Sequence, residues 1–284
     1  MKRLILGVVA MLAAWVVTAQ QQQWPPESLK ITVKFSDGTM VPLTLRRQNF
    51  DWWPSDPTQD GPANLKRLEP MANAGDTRAA FGISQFLNDC KSAPRDEAQL
   101  AAWIRVLREK RLLTWGDGHT SDLPASSPLD QYEKSYRDKF RRCKGLTAAD
   151  LASADRWQRK AADGGHLWAL IYLYQDNKSG LTPAERLKVA RRTWEIGDIG
   201  GLDRVSRGLE DVNRIESVGY AILADRLAAA KAEAANNPST KLSMEHAARG
   251  LQNKLYDLTP DERMRALGIA KDVLSKNKNC CFVQ

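Results

Sequence analysis

The chain reads as an all-α protein of helical hairpins with a small N-terminal β-hairpin. Three observations predict this. From about residue 62 to 275 apolar side chains recur at helical spacing. Within that stretch, helix entries of one type return at similar intervals. Ahead of it, two short segments alternate apolar and polar residues with period two.

The N-terminus, residues 1–19, reads as a Sec-type signal peptide. Lys2 and Arg3 precede an apolar run from Leu4 to Val17, and Val17-Thr18-Ala19 offers small residues for cleavage after Ala19. The run is short for a membrane span, which disfavours a retained anchor. No Cys follows it, against a lipoprotein. The expected location is the bacterial periplasm or the exterior. Residues 20–60 are expected to hold a flexible lead-in, Gln20–Gln23 with Trp24-Pro25-Pro26, and the β-hairpin. Residues 61–284 are expected to form the helical domain.

The whole chain has 42 basic and 34 acidic side chains, a net charge of +8. Losing Lys2 and Arg3 leaves 40 basic side chains and +6. No dense Lys/Arg block is present, so nucleic acid is not an expected partner. A protein with an acidic surface is a better electrostatic match.

In "LKITVKF", Leu29, Ile31, Val33 and Phe35 share one face; in "VPLTLR", Val41, Leu43 and Leu45 do. A two-residue Asp37-Gly38 turn would split these faces. A three-residue loop, Ser36-Asp37-Gly38 with Gly38 left-handed, pairs Val33 with Val41, Ile31 with Leu43 and Leu29 with Leu45. Pro42 lacks a donor, so its strand is expected at a sheet edge. A lone hairpin needs support, and Phe50, Trp52 and Trp53 are the nearest source.

Three helix entries are alike: "LTAAD", "LTPAE" and "LTPDE". Thr147, Thr182 and Thr259 are N-caps, and Glu185 and Glu262 are capping-box partners. Pro183 and Pro260 fall at the first helical position, where a missing N–H costs little. A further helical run begins at Ser217. The spacings are 35, 35 and 42 residues, in the range of helical-hairpin solenoids.

From Ala154 the chain reads A-x-x-W-x-x-K-A-A-x-x-G-x-x-x-A, placing Ala154, Trp157, Lys160, Ala161, Ala162, Gly165 and Ala169 in one signature. This resembles the Sel1-like repeat, a relative of the tetratricopeptide repeat. The resemblance implies a solenoid in which the glycines turn the chain between antiparallel helices and Ala169 sits in a tight contact. Gly75, Ala79, Ile83 and Leu87 repeat the spacing, as do Gly197, Gly201, Val205 and Leu209. The chain departs from the pattern at Tyr174 and in the short "NKSG" loop.

The long interval between Gly75 and Gly165 predicts an inserted helical pair at about 95–143. Leu100, Trp103, Ile104 and Leu107 form one stripe; Leu129, Tyr132, Tyr136 and Phe140 form the other. The stretch "WGDGHTSDLPASSP" between them reads as loop. Cys143 continues the second stripe. Cys90 ends a stripe of Ala79, Ile83 and Phe86. A Cys90–Cys143 disulfide is expected in an oxidising compartment, with two buried thiols as the competing reading. Adjacent Cys280 and Cys281 have no assignable pairing or redox state.

No catalytic constellation stands out, and neither a cofactor nor a metal site is expected. His119 lies near Asp117 and Asp122 without the spacing of a zinc or calcium loop; His166 and His246 sit on helices. No serine elbow or phosphate-binding glycine loop occurs. The expected function is an exported, non-enzymatic protein-binding module. The resemblance narrows it to an adaptor, or an immunity protein that neutralises a secreted toxin. The alternative is an envelope enzyme or a peptidoglycan- or β-lactam-binding factor. Candidate contact residues are Trp168, Tyr172 and Gln175, with Trp52 and Trp53 beside the hairpin. The competing reading makes Trp168 and Tyr172 filling between helices.

Overall fold

The computed structural model describes residues 28–47, 51, 53–56, 58–116, 118–177, 179–235, 251–277 and 280–283. The expected signal peptide and lead-in, with Phe50, Trp52, Asp117 and His246, lie outside them. The described chain is mostly helical and forms two compact units, one of residues 51–192, the other of 28–47 with the residues from 193 on.

Strands β1 (Ser28–Lys34) and β2 (Met40–Arg47) pair antiparallel, with Leu29 opposite Leu45, Ile31 opposite Leu43 and Val33 opposite Val41. The Phe35 amide donates to the Thr39 carbonyl, and Gly38 takes φ 87° in the loop. This register keeps Leu29, Ile31, Val33, Phe35, Val41, Leu43 and Leu45 on one face. A two-residue strand, Phe282–Val283, pairs in parallel with Arg46 and Arg47, so the sheet order is β1, β2, then this strand. The expectation that the Pro42 strand forms the sheet edge is thus corrected: β2 is central and β1 is the edge. Successive residues of β2 point their amides to opposite sides, and Arg46 donates away from β1, to the Cys281 carbonyl. Pro42 has the same parity as Arg46, so its missing donor falls on the far side, and no rung to β1 is lost.

In the unit of residues 51–192, α1 (Gly61–Asn73) and α2 (Thr77–Lys91) form a helical hairpin. Asp60 caps α1 by accepting from the Ala63 amide; Asp76 caps α2 by accepting from Arg78 and Ala79. The chain then runs through α3 (Glu97–Lys110), β3 (Leu112–Thr114), β4 (Thr120–Asp122) and α4 (Leu129–Cys143). Leu100, Trp103, Leu107, Leu123, Tyr136 and Phe140 form one buried cluster there, with Ile104, Leu113, Leu129 and Tyr132 against it. The stretch read as pure loop contains β4, which pairs with β3. Three-residue strands are too brief for a period-two signal. The Tyr136 hydroxyl accepts from the Thr114 amide at 2.7 Å, tying α4 to that hairpin.

After this excursion come α5 (Ala148–Ala152), α6 (Ala154–Asp163), α7 (Leu167–Gln175) and α8 (Pro183–Glu195). Helix α6 packs on α2 and α7 on α6. Thr147 and Asp150 form a capping box, and Thr182 and Glu185 exchange the same bonds. The Cys90–Cys143 disulfide joins the last turns of α2 and α4. Beside it Asp89 pairs with Lys139 at 2.9 Å and with Arg142 at 3.3 Å.

In the other unit, α9 (Gly200–Leu209), α10 (Arg214–Ala235), a helical stretch at 251–256 and α11 (Pro260–Lys276) lead to β5 (Phe282–Val283). Helix α10 packs against α9, α11 and β1. It therefore supports the hairpin, where Phe50, Trp52 and Trp53 had been expected; Trp53 belongs to the other unit. Helix α10 also begins earlier than expected. Asn213 accepts from the Glu216 amide at its start. Ser217 is buried one turn further on and donates to the Ser206 carbonyl at 2.7 Å. Thr259 and Glu262 form the capping box of α11. Asp198 and Arg204 are a buried ion pair, with Thr193 Oγ1 3.4 Å from the guanidinium. The structure pairs Cys280 with Cys281.

One turn occurs three times. At Gly75, Gly165 and Gly197 φ is 99°, 87° and 104°. Each glycine amide donates to the carbonyl three residues back: Ala72, Ala162 and Trp194. Each following amide reaches five back: Asp76 to Met71, His166 to Ala161 and Asp198 to Thr193. This pair of bonds closes a helix C-terminus and needs the left-handed conformation that glycine adopts without a Cβ clash. Gly164 meets a different demand. A Cβ there would lie 2.2 Å from Thr77 Cγ2, so its glycine permits the close approach to α2.

Candidate partner-binding surfaces

Helix α7 buries Leu167, Ala169, Leu170, Ile171 and Leu173. Trp168, Tyr172 and Gln175 follow four and then three residues apart, which places them on one stripe. Trp168 is half-buried, Tyr172 is 45% exposed and Gln175 is exposed. The Tyr172 ring stacks on Phe81 with centroids 5.9 Å apart, and Phe81 stacks on His166 at 4.4 Å. Phe81 is fully buried, so this column anchors the inner side of an otherwise accessible tyrosine.

His166 is the N-cap of α7: its Nδ1 accepts from the Ala169 amide at 3.4 Å. That bond requires a neutral ring. Burial holds the imidazole below its usual range, opposed by a hydrogen bond with the Asp51 backbone. Arg78 donates to the Asp51 carbonyl at 3.2 Å and lies 4.9 Å over the Trp53 ring. Trp53 Nε1 donates to Asp76 at 3.0 Å. Trp53 is thus half-buried in a network with Asp76, Arg78 and Asp51, on the same unit as the α7 stripe. The hairpin expected beside it falls in the other unit.

Most residues of the Ala154–Ala169 pattern lie in the core. Ala154, Trp157, Ala161, Ala162 and Ala169 are buried, and Lys160 lies over the Trp157 ring and donates to Asn73 at 3.0 Å. Among the described residues no group of three His, Cys, Asp or Glu side chains is placed to hold a metal. His119 is exposed at the β3–β4 turn and stacks on Trp115.

A second surface was not singled out from the sequence. The outer face of the β-hairpin carries Lys30, Thr32, Lys34, Met40, Thr44 and Arg46, all exposed, and no acidic side chain. A concavity of about 630 Å³ runs along it, bounded on the far side by Ala230, Glu233 and Ala234 of α10. Lys34 pairs with Glu233 at 3.3 Å. The signal was present in the strand alternation, which sets the lysines opposite the apolar face. Nothing in the sequence placed the end of α10 alongside.

No family model matches the chain, and no curated protein or solved structure matches it. No helix among the described residues is long and apolar enough to cross a membrane.

Proposed function

We propose that this chain is an exported, non-enzymatic protein-binding module whose helical hairpins stack as a Sel1-like solenoid. The observation that carries the reading is the stripe on α7: an aromatic ring anchored from below by Phe81, exposed above, and flanked by Trp168 and Gln175. Rigid, half-covered aromatics of this kind supply binding energy at protein interfaces. The thrice-repeated glycine turn supports the solenoid, and the Cys90–Cys143 disulfide fits an oxidising compartment. The resemblance to Sel1-like repeats favours an adaptor or a toxin-neutralising immunity protein.

Capture of periplasmic partners by the purified protein, followed by mass spectrometry, identifies candidates. Against a confirmed partner, Tyr172→Ala is expected to cost about 2 kcal/mol of binding. Gln175→Glu, which adds a charge that repels an acidic partner, is expected to weaken it further, with the melting temperature unchanged. If Trp168→Ala and Tyr172→Ala lower the melting temperature and leave binding intact, the stripe is core and the assignment fails. A covalent adduct with a reactive penicillin would point to an envelope enzyme.

A further inference from the structure

The hairpin has an open side. In the pairing of β1 with β2, Phe35 and Thr39 are a hydrogen-bonded pair. Successive pairs alternate, so Val33–Val41 and Ile31–Leu43 are bonded inward, while Lys30, Thr32 and Lys34 point amide and carbonyl outward. β1 is the edge strand. Among the described residues the outward backbone groups of Lys30 and Thr32 have no partner. Edge strands of this kind pair with another chain unless something blunts them.

We propose that the free edge of β1 takes an extended, acidic segment of a protein partner as an added strand. The proposal rests on the protein-binding reading above and names the mode and the partner chemistry. Lys30 and Arg46, with Lys34 already paired to Glu233, leave the hairpin's outer face with basic side chains and no acid of its own, so the side chains an added strand presents there are complementary when acidic. The alternate side chains turn to the opposite face of the sheet, beside Ile31 and Val33, which favours small or branched apolar residues. Main-chain bonds to Lys30 and Thr32 supply affinity, and the alternation supplies specificity. The concavity gives room for the acidic set.

The probe is a short labelled peptide alternating glutamate and valine, with a lysine–valine peptide as control. The readout is amide hydrogen exchange in the purified protein, residue by residue. The outward amides of Lys30 and Thr32 exchange fast in the free protein, and the inward amides of Ile31 and Val33 exchange slowly. Adding the glutamate–valine peptide is expected to slow exchange at Lys30 and Thr32. Thr32→Pro removes one outward donor and no internal rung; Lys30→Glu reverses one charge. Each is expected to weaken the peptide about tenfold.

The proposal is overturned if the peptide does not bind, or binds while exchange at Lys30 and Thr32 is unchanged. It is also overturned if the lysine–valine peptide binds equally, or if these amides are already protected in the free protein by a second copy or by residues 236–250. A partner that needs Tyr172 and leaves exchange at Lys30 and Thr32 unchanged would remove strand addition and keep the binding module. The reverse result would remove the α7 surface alone.

Discussion

His166 does two incompatible things as the solution turns acidic. Its Nδ1 accepts the Ala169 amide, and its ring stacks on buried Phe81. Protonation converts the acceptor into a donor, breaks the cap and places a charge in an apolar setting. Because burial lowers the folded-state value below the ordinary 6.5, the neutral form is the one the fold favours. The resulting stability is fully present above that ordinary value and is lost as pH falls below it, through the folded-state value. The melting temperature is therefore expected to decline across that window. His166→Asn, which keeps a capping acceptor and cannot titrate there, is expected to flatten the decline. An equally steep decline in the variant would show that another group is responsible. Asp37 has the opposite charge chemistry at the hairpin loop. The Lys271 ammonium, together with the Thr39 amide and hydroxyl, holds its carboxyl down to about 2. That contact persists until pH drops through this low value.

At the scale of elements, the helix α7 contact and the disulfide are the sharpest tests. Ala169 has no exposed surface, and its position follows the left-handed Gly165 turn. Ala169→Trp is expected to overpack the contact and cost about 1–3 kcal/mol, read from denaturant unfolding. An unchanged midpoint would mean that α7 can shift without penalty, contrary to the buried alanines of α6. The Cys90–Cys143 bond closes a 53-residue loop. On the chain-entropy view it contributes about 4 kcal/mol. Cys143→Ser is expected to lower the unfolding midpoint, and non-reducing peptide mapping should recover the linked Cys90 and Cys143 peptides. Mapping that links Cys90 to Cys280 or Cys281 would contradict the joining of α2 to α4.

For the whole molecule, the expected leader and the net charge make a joint prediction. Mature protein from the periplasm is expected to begin at Gln20 and to carry the Cys90–Cys143 bond. Intact mass under non-reducing conditions checks both; a mass that retains residues 1–19 would indicate a tethered protein. Loss of residues 1–19 would leave a net charge of +6, so association with an acidic partner is expected to slow as salt rises. A salt-independent on-rate would place the contact on apolar groups alone.

Much of the local structure was legible in the sequence because it depends on residues close together in the chain. Period two with the loop length pointed to the hairpin register, since pairing odd with odd residues keeps Leu29, Ile31, Val33, Val41, Leu43 and Leu45 on a common face and a two-residue turn would not. Threonine with an acid three residues later determined three helix starts, and glycine at Gly75, Gly165 and Gly197 marked three turns because that backbone conformation excludes most side chains. Even the Cys90–Cys143 pairing followed from two apolar stripes. What depended on distant parts of the chain was decided by the tertiary structure. Ser217 looked like the start of a helix and instead lies inside one, buried against Ser206, because α9 packs there. β2 looked like an edge and is central, because Phe282 and Val283 return from the far end of the chain to pair with it. Trp53 looked like support for the hairpin and instead joins Asp76 and Arg78, while α10 supports β1. Periodicity records which face of an element is apolar; only packing decides which element meets that face.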